Sequence, residues 1–294
     1  MNLLDGKALA AVWQQTLTDT VNKITQQGQP APHLAVMLIG DNPASQVYVK
    51  KKAQMASKIG IQSTVLTYPA TIDQQAVLDE IHRINADPGI HALLIQLPLP
   101  RHLDPNVILS TVSPQKDVDG FHPHNLGKLL SGDFPVALPC TPAGMMLMLE
   151  HYKIEVAGKH AVVVGRSNIV GKPIGMLLLQ KNATVTYCHS KTTDLSAHLK
   201  TADIVIAAVG VPEMIHGKDL TPGCVVLDVG INRRSDGTLC GDVHFESASQ
   251  VASAITPVPG GVGPMTIACL MKNTVALYEV QIQVQPIPTA TVSS

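Results

Sequence analysis

Aromatic residues make up only 3% of this 294-residue chain, and its charges nearly cancel, with 21 Lys plus Arg against 22 Asp plus Glu. Cancelled charge leaves no basic patch for a nucleic-acid backbone and no block that binds by charge alone. Cysteine is also scarce. The five, at positions 140, 188, 224, 240 and 269, form an odd set with no Cys-x-x-Cys pair. That argues against a disulfide framework and against a zinc site, and it suits a reducing cytoplasm. No run approaches the roughly 18 apolar residues that span a bilayer. The stretch Met1-Asn-Leu-Leu-Asp-Gly-Lys7 carries charge too early for a signal peptide. A soluble, cytoplasmic protein with no nucleic-acid or membrane partner is expected. The 12 histidines are scattered, with no His-Glu-x-x-His arrangement. Only His122 and His124, either side of a proline, raise metal coordination at all, and no metal is expected.

What the chain has is a 45% hydrophobic content rich in Val, Ile, Leu and Ala, and the length for two domains. Helical and strand patterns alternate from end to end. Residues 7–27 read as a helix, 33–40 as a buried strand, 45–59 as a helix closed by Gly60, and 63–68 as a strand. A helix over 73–85 and a strand over 91–96 follow. Apolar runs of this kind between helices point to parallel strands covered on both faces. The polar, Pro- and Gly-rich region 98–142 reads as a candidate binding loop. After a helix over 142–150, a second block has strands at 161–164, 184–188, 204–209 and 225–229. A last helix runs from Gly263 through Leu277 and returns to the first block, and 281–294 reads as a mobile tail. The expected fold class is α/β, as two α/β domains with a cleft between them. Residues 1–140 plus 268–294 form one domain, and 141–267 form a second, Rossmann-like nucleotide-binding domain.

Lys52 stands out within the first block. Winding 45–59 at about 100° per residue puts Tyr48, Val49, Ala53, Met55, Ala56 and Ile59 on one arc. Lys50, Lys51, Gln54, Ser57 and Lys58 fall on the other. Lys52 lands in the middle of the apolar arc. Burial disfavours the charged amine, so a lysine held there can act as a general base. The ordinary alternative is a packed stem whose head reaches the helix edge, and the helix taken alone favours it.

In the second block, Ala161-Val-Val-Val-Gly165-Arg-Ser-Asn-Ile-Val-Gly171-Lys-Pro-Ile-Gly175 has the order strand, glycine turn, helix. The turn and the free N–H groups of the helix start suit a phosphate, although Ser167 stands where the second glycine of the usual fingerprint would be. An NAD site needs a carboxylate at the end of the next strand. Here that end reads Cys188-His-Ser-Lys191. Arg166 can meet a 2′-phosphate and Ser190 can hydrogen-bond it, which favours NADP. Asp228-Val-Gly-Ile-Asn232 ends a strand where a nicotinamide ring can rest on backbone. The Pro257–Thr266 string, with three prolines and three glycines, fixes a shape that brings backbone close to a ligand, or else a rigid turn between domains.

Together these strings resemble the bifunctional methylenetetrahydrofolate dehydrogenase/methenyltetrahydrofolate cyclohydrolase family. The matching segments are Tyr48-Val-Lys-Lys-Lys52, Gln96-Leu-Pro-Leu-Pro100, Lys116-Asp-Val-Asp-Gly-Phe-His122 and Pro139-Cys-Thr-Pro142. Gly165-Arg-Ser-Asn-Ile-Val-Gly-Lys-Pro173, Asp228-Val-Gly-Ile-Asn232 and Thr256-Pro-Val-Pro-Gly-Gly-Val-Gly-Pro-Met-Thr266 complete the set. They follow the family's order from about residue 3 to residue 280.

The resemblance implies two consecutive reactions in one cleft. The first is oxidation of 5,10-methylenetetrahydrofolate by NADP⁺, and the second is hydrolysis of the methenyl product to 10-formyltetrahydrofolate, chemistry that supplies purine biosynthesis. It implies that Lys52 is catalytic, with Tyr48 beside it, Gln96 positioning it and Asp119 holding the pterin. Gly165, Arg166, Ser167, Ser190 and Ile231 are implied to meet the cofactor, and Pro259, Gly261 and Val262 the substrate. It also implies a homodimer. A charged lysine would repel the cationic methenyl carbon, so Lys52 is expected to be neutral for part of the cycle. One departure is Gln54, where many relatives carry a second basic residue. Two other readings are an NADP-dependent dehydrogenase of another small substrate and a nucleotide sensor without catalysis. The first leaves Lys-Asp-Val-Asp-Gly and the Tyr48/Lys52 pair unexplained, and intact Lys52, Gln96 and Asp119 argue against the second.

Overall fold

Burial in the second block splits every strand by parity. Ala161, Val163, Ile204, Ile206 and Leu227 pack into one core, while Val162, Val164, Val205, Ala207 and Val226 pack into another. A strand buried on both faces needs cover on both sides, which is the parallel arrangement its apolar runs predict.

The computed structural model describes residues 1–284. In chain order its elements begin with β1 (Asn2–Leu3), α1 (Gly6–Gln26), β2 (His33–Ile39), α2 (Pro43–Ile59), β3 (Gln62–Tyr68), α3 (Gln74–Ala86) and β4 (Ala92–Ile95). Next come α4 (Pro105–Thr111), α5 (Pro123–Ser131), α6 (Cys140–His151), β5 (His160–Val164), α7 (Gly171–Gln180), β6 (Thr184–Cys188) and α8 (Leu195–Leu199). The chain continues through β7 (Ile204–Ala207), β8 (Val225–Asp228), β9 (Asn232–Arg233), β10 (Leu239–Cys240), α9 (Phe245–Ser249), β11 (Ala254–Ile255) and α10 (Val262–Val284).

The chain packs as two units, Met1–Thr16 with Asp119–Leu270, and Leu17–Val118 with the chain from Met271 onward. The first holds a six-stranded parallel sheet in the order β1-β11-β8-β7-β5-β6. The second holds a three-stranded parallel sheet in the order β3-β2-β4. Ala35, Met37 and Ile39 of β2 face a core completed by Ile81 and Ile84 of α3 and Ile108 of α4.

Most predicted elements form within a few residues of their expected limits, and four differences have physical causes. The region 98–142 is not one loop, because α4 and α5 lie within it. Their starts, Asp104-Pro105 and His122-Pro123, look like breakers in sequence, yet proline is favoured in the first helical turn. The Asp104 and His122 side chains each accept a backbone N–H from two residues on. Residues Met1–Thr16 pack with the second block, because β1 pairs with β11, more than 250 positions away in sequence. Two-residue strands carry no period from which to read them. Residues 119–140 also fall in that unit, so packing divides the chain elsewhere than at 140/141. Finally, Gln281 belongs to α10, and its Nε2 donates to the carbonyl oxygens of His91 and Gln115. The rest of the expected tail, from 285 onward, lies outside the described residues.

Candidate active site

In the second unit, α2 presents the face that the sequence pattern requires. Its buried residues are Ser45, Val49, Lys52, Ala56 and Ile59, while Lys50, Lys51, Gln54 and Lys58 are exposed. The Asn42 side chain accepts the Ser45 N–H at the start, and Gly60 closes the end at φ 89°. That left-handed conformation suits glycine.

Lys52 is 9% exposed. Its Nζ donates to Gln96 Oε1 at 3.0 Å. The amide of Gln96 is itself oriented, because its Nε2 donates to the Leu97 carbonyl at 2.6 Å and its backbone N–H to Met37 at 2.9 Å. Gln96 follows the C-terminal end of β4, where parallel sheets commonly present ligand contacts. An amide oxygen holds an amine without supplying a countercharge, which leaves that amine able to exchange a proton. Tyr48 lies one turn before Lys52 and is half-buried. Burial raises its phenol above the usual value, so it stays protonated and can donate.

A second buried lysine escaped the sequence pattern. Lys116 is 6% exposed, and its Nζ donates to the carbonyl oxygens of Ile84 and Asp87 at 2.7 and 2.5 Å. It neutralises the C-terminal end of α3, and burial lowers its pKa. Its two fixed carbonyl partners give it a structural part.

In the first unit, the glycine turn after β5 is crowded. Gly165 sits at φ 131°, and a Cβ there would overlap the Ala208 carbonyl oxygen. A Cβ on Gly171 would overlap the Gly165 carbonyl, and one on Gly175 the hydroxyl of Tyr187, which donates to the Lys172 carbonyl at 2.9 Å. The late third glycine therefore serves helix–strand packing. Ser167, at the place of the second glycine, accepts the N–H groups of Val170 and Gly171 at 3.1 and 3.2 Å. Arg166 and Ser190 are exposed at the ends of β5 and β6. A cavity of about 440 Å³ beside them is lined by Arg166, Lys172 and His189 over Leu126, Met176 and Tyr187. The absence of a carboxylate at the end of β6, with a free-standing basic side chain on the turn, fits a cofactor bearing a 2′-phosphate.

Two buried carboxylates that sequence reasoning did not single out shape the ends of β7 and β8. Asp228 accepts the N–H groups of Gly230, Asp242 and Val243. Burial nevertheless pushes its pKa up to about 6. Asp242, fully buried, accepts from the backbone of Val209, Gly210 and Val211 and from the Asn232 side chain. Together they hold the turn that carries Ile231, which is 49% exposed. A Cβ on Gly263 would lie 3.8 Å from Ile231 Cδ1, so this turn neighbours the Pro-Gly-Gly loop. In that loop Pro259 is exposed, Gly261 is buried, and Val262 packs into the core with 3% exposure. Asp119 is half-buried just after the buried Lys116–Val118 run. Tyr48, Lys52 and Gln96 belong to one unit, and Asp119, Gly165, Arg166, Ser167, Ser190, Ile231 and the Pro-Gly-Gly loop to the other. His122 spends its Nδ1 on the His124 N–H at 3.0 Å, starting α5.

A doubly wound sheet with a glycine turn, in a chain whose smaller α/β unit carries a buried lysine, defines the class as a dinucleotide-dependent enzyme. Comparison with known proteins makes the class particular. The catalytic-domain model of tetrahydrofolate dehydrogenase/cyclohydrolase matches residues 4–119, and the NAD(P)-binding-domain model matches residues 139–282. The chain is 52% identical over 272 residues to the bifunctional protein FolD of Geobacillus thermodenitrificans, covering 92% of this chain and 95% of that one. The crystal structure of the Campylobacter jejuni bifunctional FolD superposes with a TM-score of 0.94 at 47% identity, covering 95% of this chain and 99% of that one. The Trypanosoma brucei enzyme, complexed with NADP and an inhibitor, gives a TM-score of 0.92 at 36% identity, covering 96% and 98%. This chain belongs to the tetrahydrofolate dehydrogenase/cyclohydrolase family, with both its catalytic domain and its NAD(P)-binding domain.

Proposed function

We propose that Lys52 is the proton-transfer group of the second of two consecutive reactions. In the first, 5,10-methylenetetrahydrofolate is oxidised to the 5,10-methenyl form. NADP⁺ supplies the hydride acceptor, and the protein's part in that step is alignment. In the second, water adds to the methenyl carbon and the ring opens to 10-formyltetrahydrofolate. The single observation that carries the reading is the buried Lys52 Nζ held at 3.0 Å by Gln96 Oε1. Lys52 accepts a proton from the attacking water, and Gln96 keeps its amine on target without adding charge. Tyr48 covers the folate ring or donates to the amine.

Asp119 accepts the paired N–H groups of the pterin edge, and Pro259, Gly261 and the Val262 backbone line the substrate. Gly165, Arg166, Ser167, Ser190 and Ile231 hold the cofactor, with Arg166 on the 2′-phosphate. In this division of labour, residues 1–140 plus 268–294 carry the folate chemistry and 141–267 the cofactor. The product suits purine biosynthesis in the cytoplasm. No helix among the described residues is long and apolar enough to cross a membrane. A homodimer is supported by the position of β6 at the edge of its sheet among the described residues and by exposed Leu130, Phe134 and Leu179 on and beside α5 and α7. Light scattering tests it, and a monomer removes it.

The deciding experiment is Lys52→Met. Hydrolysis of methenyltetrahydrofolate is expected to fall at least roughly 100-fold, within the range that general-base catalysis supplies, while NADP⁺ binding survives. Unchanged hydrolysis would remove Lys52 from the mechanism.

A further inference from the structure

The loop 256–261 is held on one side by Thr256, whose hydroxyl accepts the Asp228 N–H at 2.8 Å, and it closes on itself through Gly261 N–H to Pro257 O at 2.8 Å. On its other side the loop, with the β11 strand that leads into it, meets a segment more than 240 residues away in sequence. β1 pairs with β11 through Asn2 and Leu3, and the Leu4 N–H donates to the Ile255 carbonyl at 2.9 Å. The Lys7 N–H donates to the Gly260 carbonyl at 2.9 Å. Between them Gly6 lies so close that a Cβ would overlap the Gly261 carbonyl oxygen.

The segment is itself pinned. The Tyr152 hydroxyl accepts the Asp5 N–H at 2.9 Å and donates to the Asp5 carbonyl at 3.2 Å. The Asp5 carboxylate accepts the Ala8 N–H at 2.9 Å, starting α1. Leu4, fully buried, anchors the strand in the core.

We propose that Asp5, Gly6 and Tyr152 are positioning residues for the folate substrate, acting through the Gly260–Gly261 carbonyls. This rests on the reading that the Pro-Gly-Gly loop meets the substrate. The chain of contacts is short: Tyr152 fixes Asp5, Asp5 fixes the start of α1, and the first turn of α1 fixes the height of the loop. The Asp5 carboxylate and the Tyr152 hydroxyl are both engaged by backbone, so the effect of the set falls on substrate placement. A misplacement of about 1 Å is enough to weaken binding and slow chemistry.

Two variants test this. Gly6→Ala forces the loop or the helix start to move, whereas Tyr152→Phe removes one hydroxyl and keeps the ring packed. With methenyltetrahydrofolate and no cofactor, Gly6→Ala is expected to raise KM roughly tenfold and Tyr152→Phe roughly threefold, with kcat changed less than KM. NADP⁺ affinity should stay near that of the parent, and the melting temperature should fall by no more than the few degrees that about 1–3 kcal/mol of local overpacking costs. Hydrogen exchange of the 256–263 amides should quicken in both. Folate KM within about twofold of the parent in the folded variants overturns the proposal. So do equal losses in KM, kcat and cofactor affinity, which mean general loosening. Should Gly6→Ala fail to fold, Tyr152→Phe decides. Should the parent itself not hydrolyse the substrate, it is the functional reading that fails. Loop exchange then judges the positioning claim, and unchanged exchange overturns it.

Discussion

The two parallel sheets open with the same clasp and end in different chemistry. In the three-stranded sheet, His33 begins the central strand β2. Its Nδ1 meets the Gly89 carbonyl and its Nε2 the Thr64 hydroxyl, both at 2.9 Å. In the six-stranded sheet, His160 begins β5. Its Nδ1 meets the Thr201 carbonyl and its Nε2 the Thr186 hydroxyl, again at 2.9 Å. A nitrogen facing a carbonyl must carry the proton, so Nδ1 is the donor in both rings.

The registers agree as well. Each threonine lies two residues beyond the histidine's partner on the neighbouring strand. Only one member differs. The His33 N–H donates to His91 Nδ1, whereas the His160 N–H donates to Asp203 Oδ2. At the opposite ends of the strands the likeness stops. One sheet presents Gln96 to Lys52, and the other a glycine turn and two carboxylates satisfied by backbone N–H groups. The strand starts therefore share a hydrogen-bonded clasp, while the strand ends differ and hold the residues proposed for function.

The largest test of that division is Gly165→Ala. Overpacking against Ala208 is expected to cost about 1–3 kcal/mol locally and to lower NADP⁺ affinity by up to roughly 100-fold. Hydrolysis without cofactor, measured in the same variant, should hold. A parallel fall would mean that the strand ends are not independent. Next in size, Arg166→Ala should weaken NADP⁺ roughly tenfold more than NAD⁺ in a binding titration, about one charge-assisted hydrogen bond. Equal losses would take Arg166 off the 2′-phosphate.

The clasps predict a pH effect where they differ. Burial, followed by the nearby His33 and Lys116, lowers the His91 pKa from the usual 6.5 to about 4. As pH falls through this window the unfolded chain takes up a proton that folded His91 refuses, so stability is present above about 6.5 and is lost toward about 4. Urea unfolding should show a loss of about 2 kcal/mol between pH 7 and pH 5 from this group. His91→Gln, which keeps an acceptor for His33, should flatten that part of the profile, and an unchanged slope would assign the effect elsewhere. Asp228 works in the opposite direction: its pKa is raised to about 6, so its contribution improves as pH falls below 6. The smallest expected effects are those of Thr64→Val and Thr186→Val, about 1 kcal/mol each for one hydrogen bond. Clearly unequal costs in thermal unfolding would break the equivalence of the clasps.

Much of this was legible in the chain. The parity-free apolar runs gave the parallel sheets, and the 100° winding of 45–59 put Lys52 on a buried face, where the structure holds it at 9% exposure. The glycines at 165, 171 and 175 mark a strand-turn-helix from their spacing alone. What stayed hidden has one cause in common. Lys116 sits among short irregular turns, Asp242 lies just before a bridge of one residue pair, and β1 has two residues, so no period marked them.

Sequence by itself determined the order of elements, the family and the candidacy of Lys52, because those rest on local pattern and on strings of contiguous residues. Only tertiary structure decided that Gln96, 44 positions away, takes the Lys52 amine, and that the first strand braces the Pro-Gly-Gly loop. It alone decided that two buried carboxylates need no cation. Each depends on hydrogen bonds between groups far apart in sequence, and a buried donor or acceptor declares its partner only when the chain has folded around it.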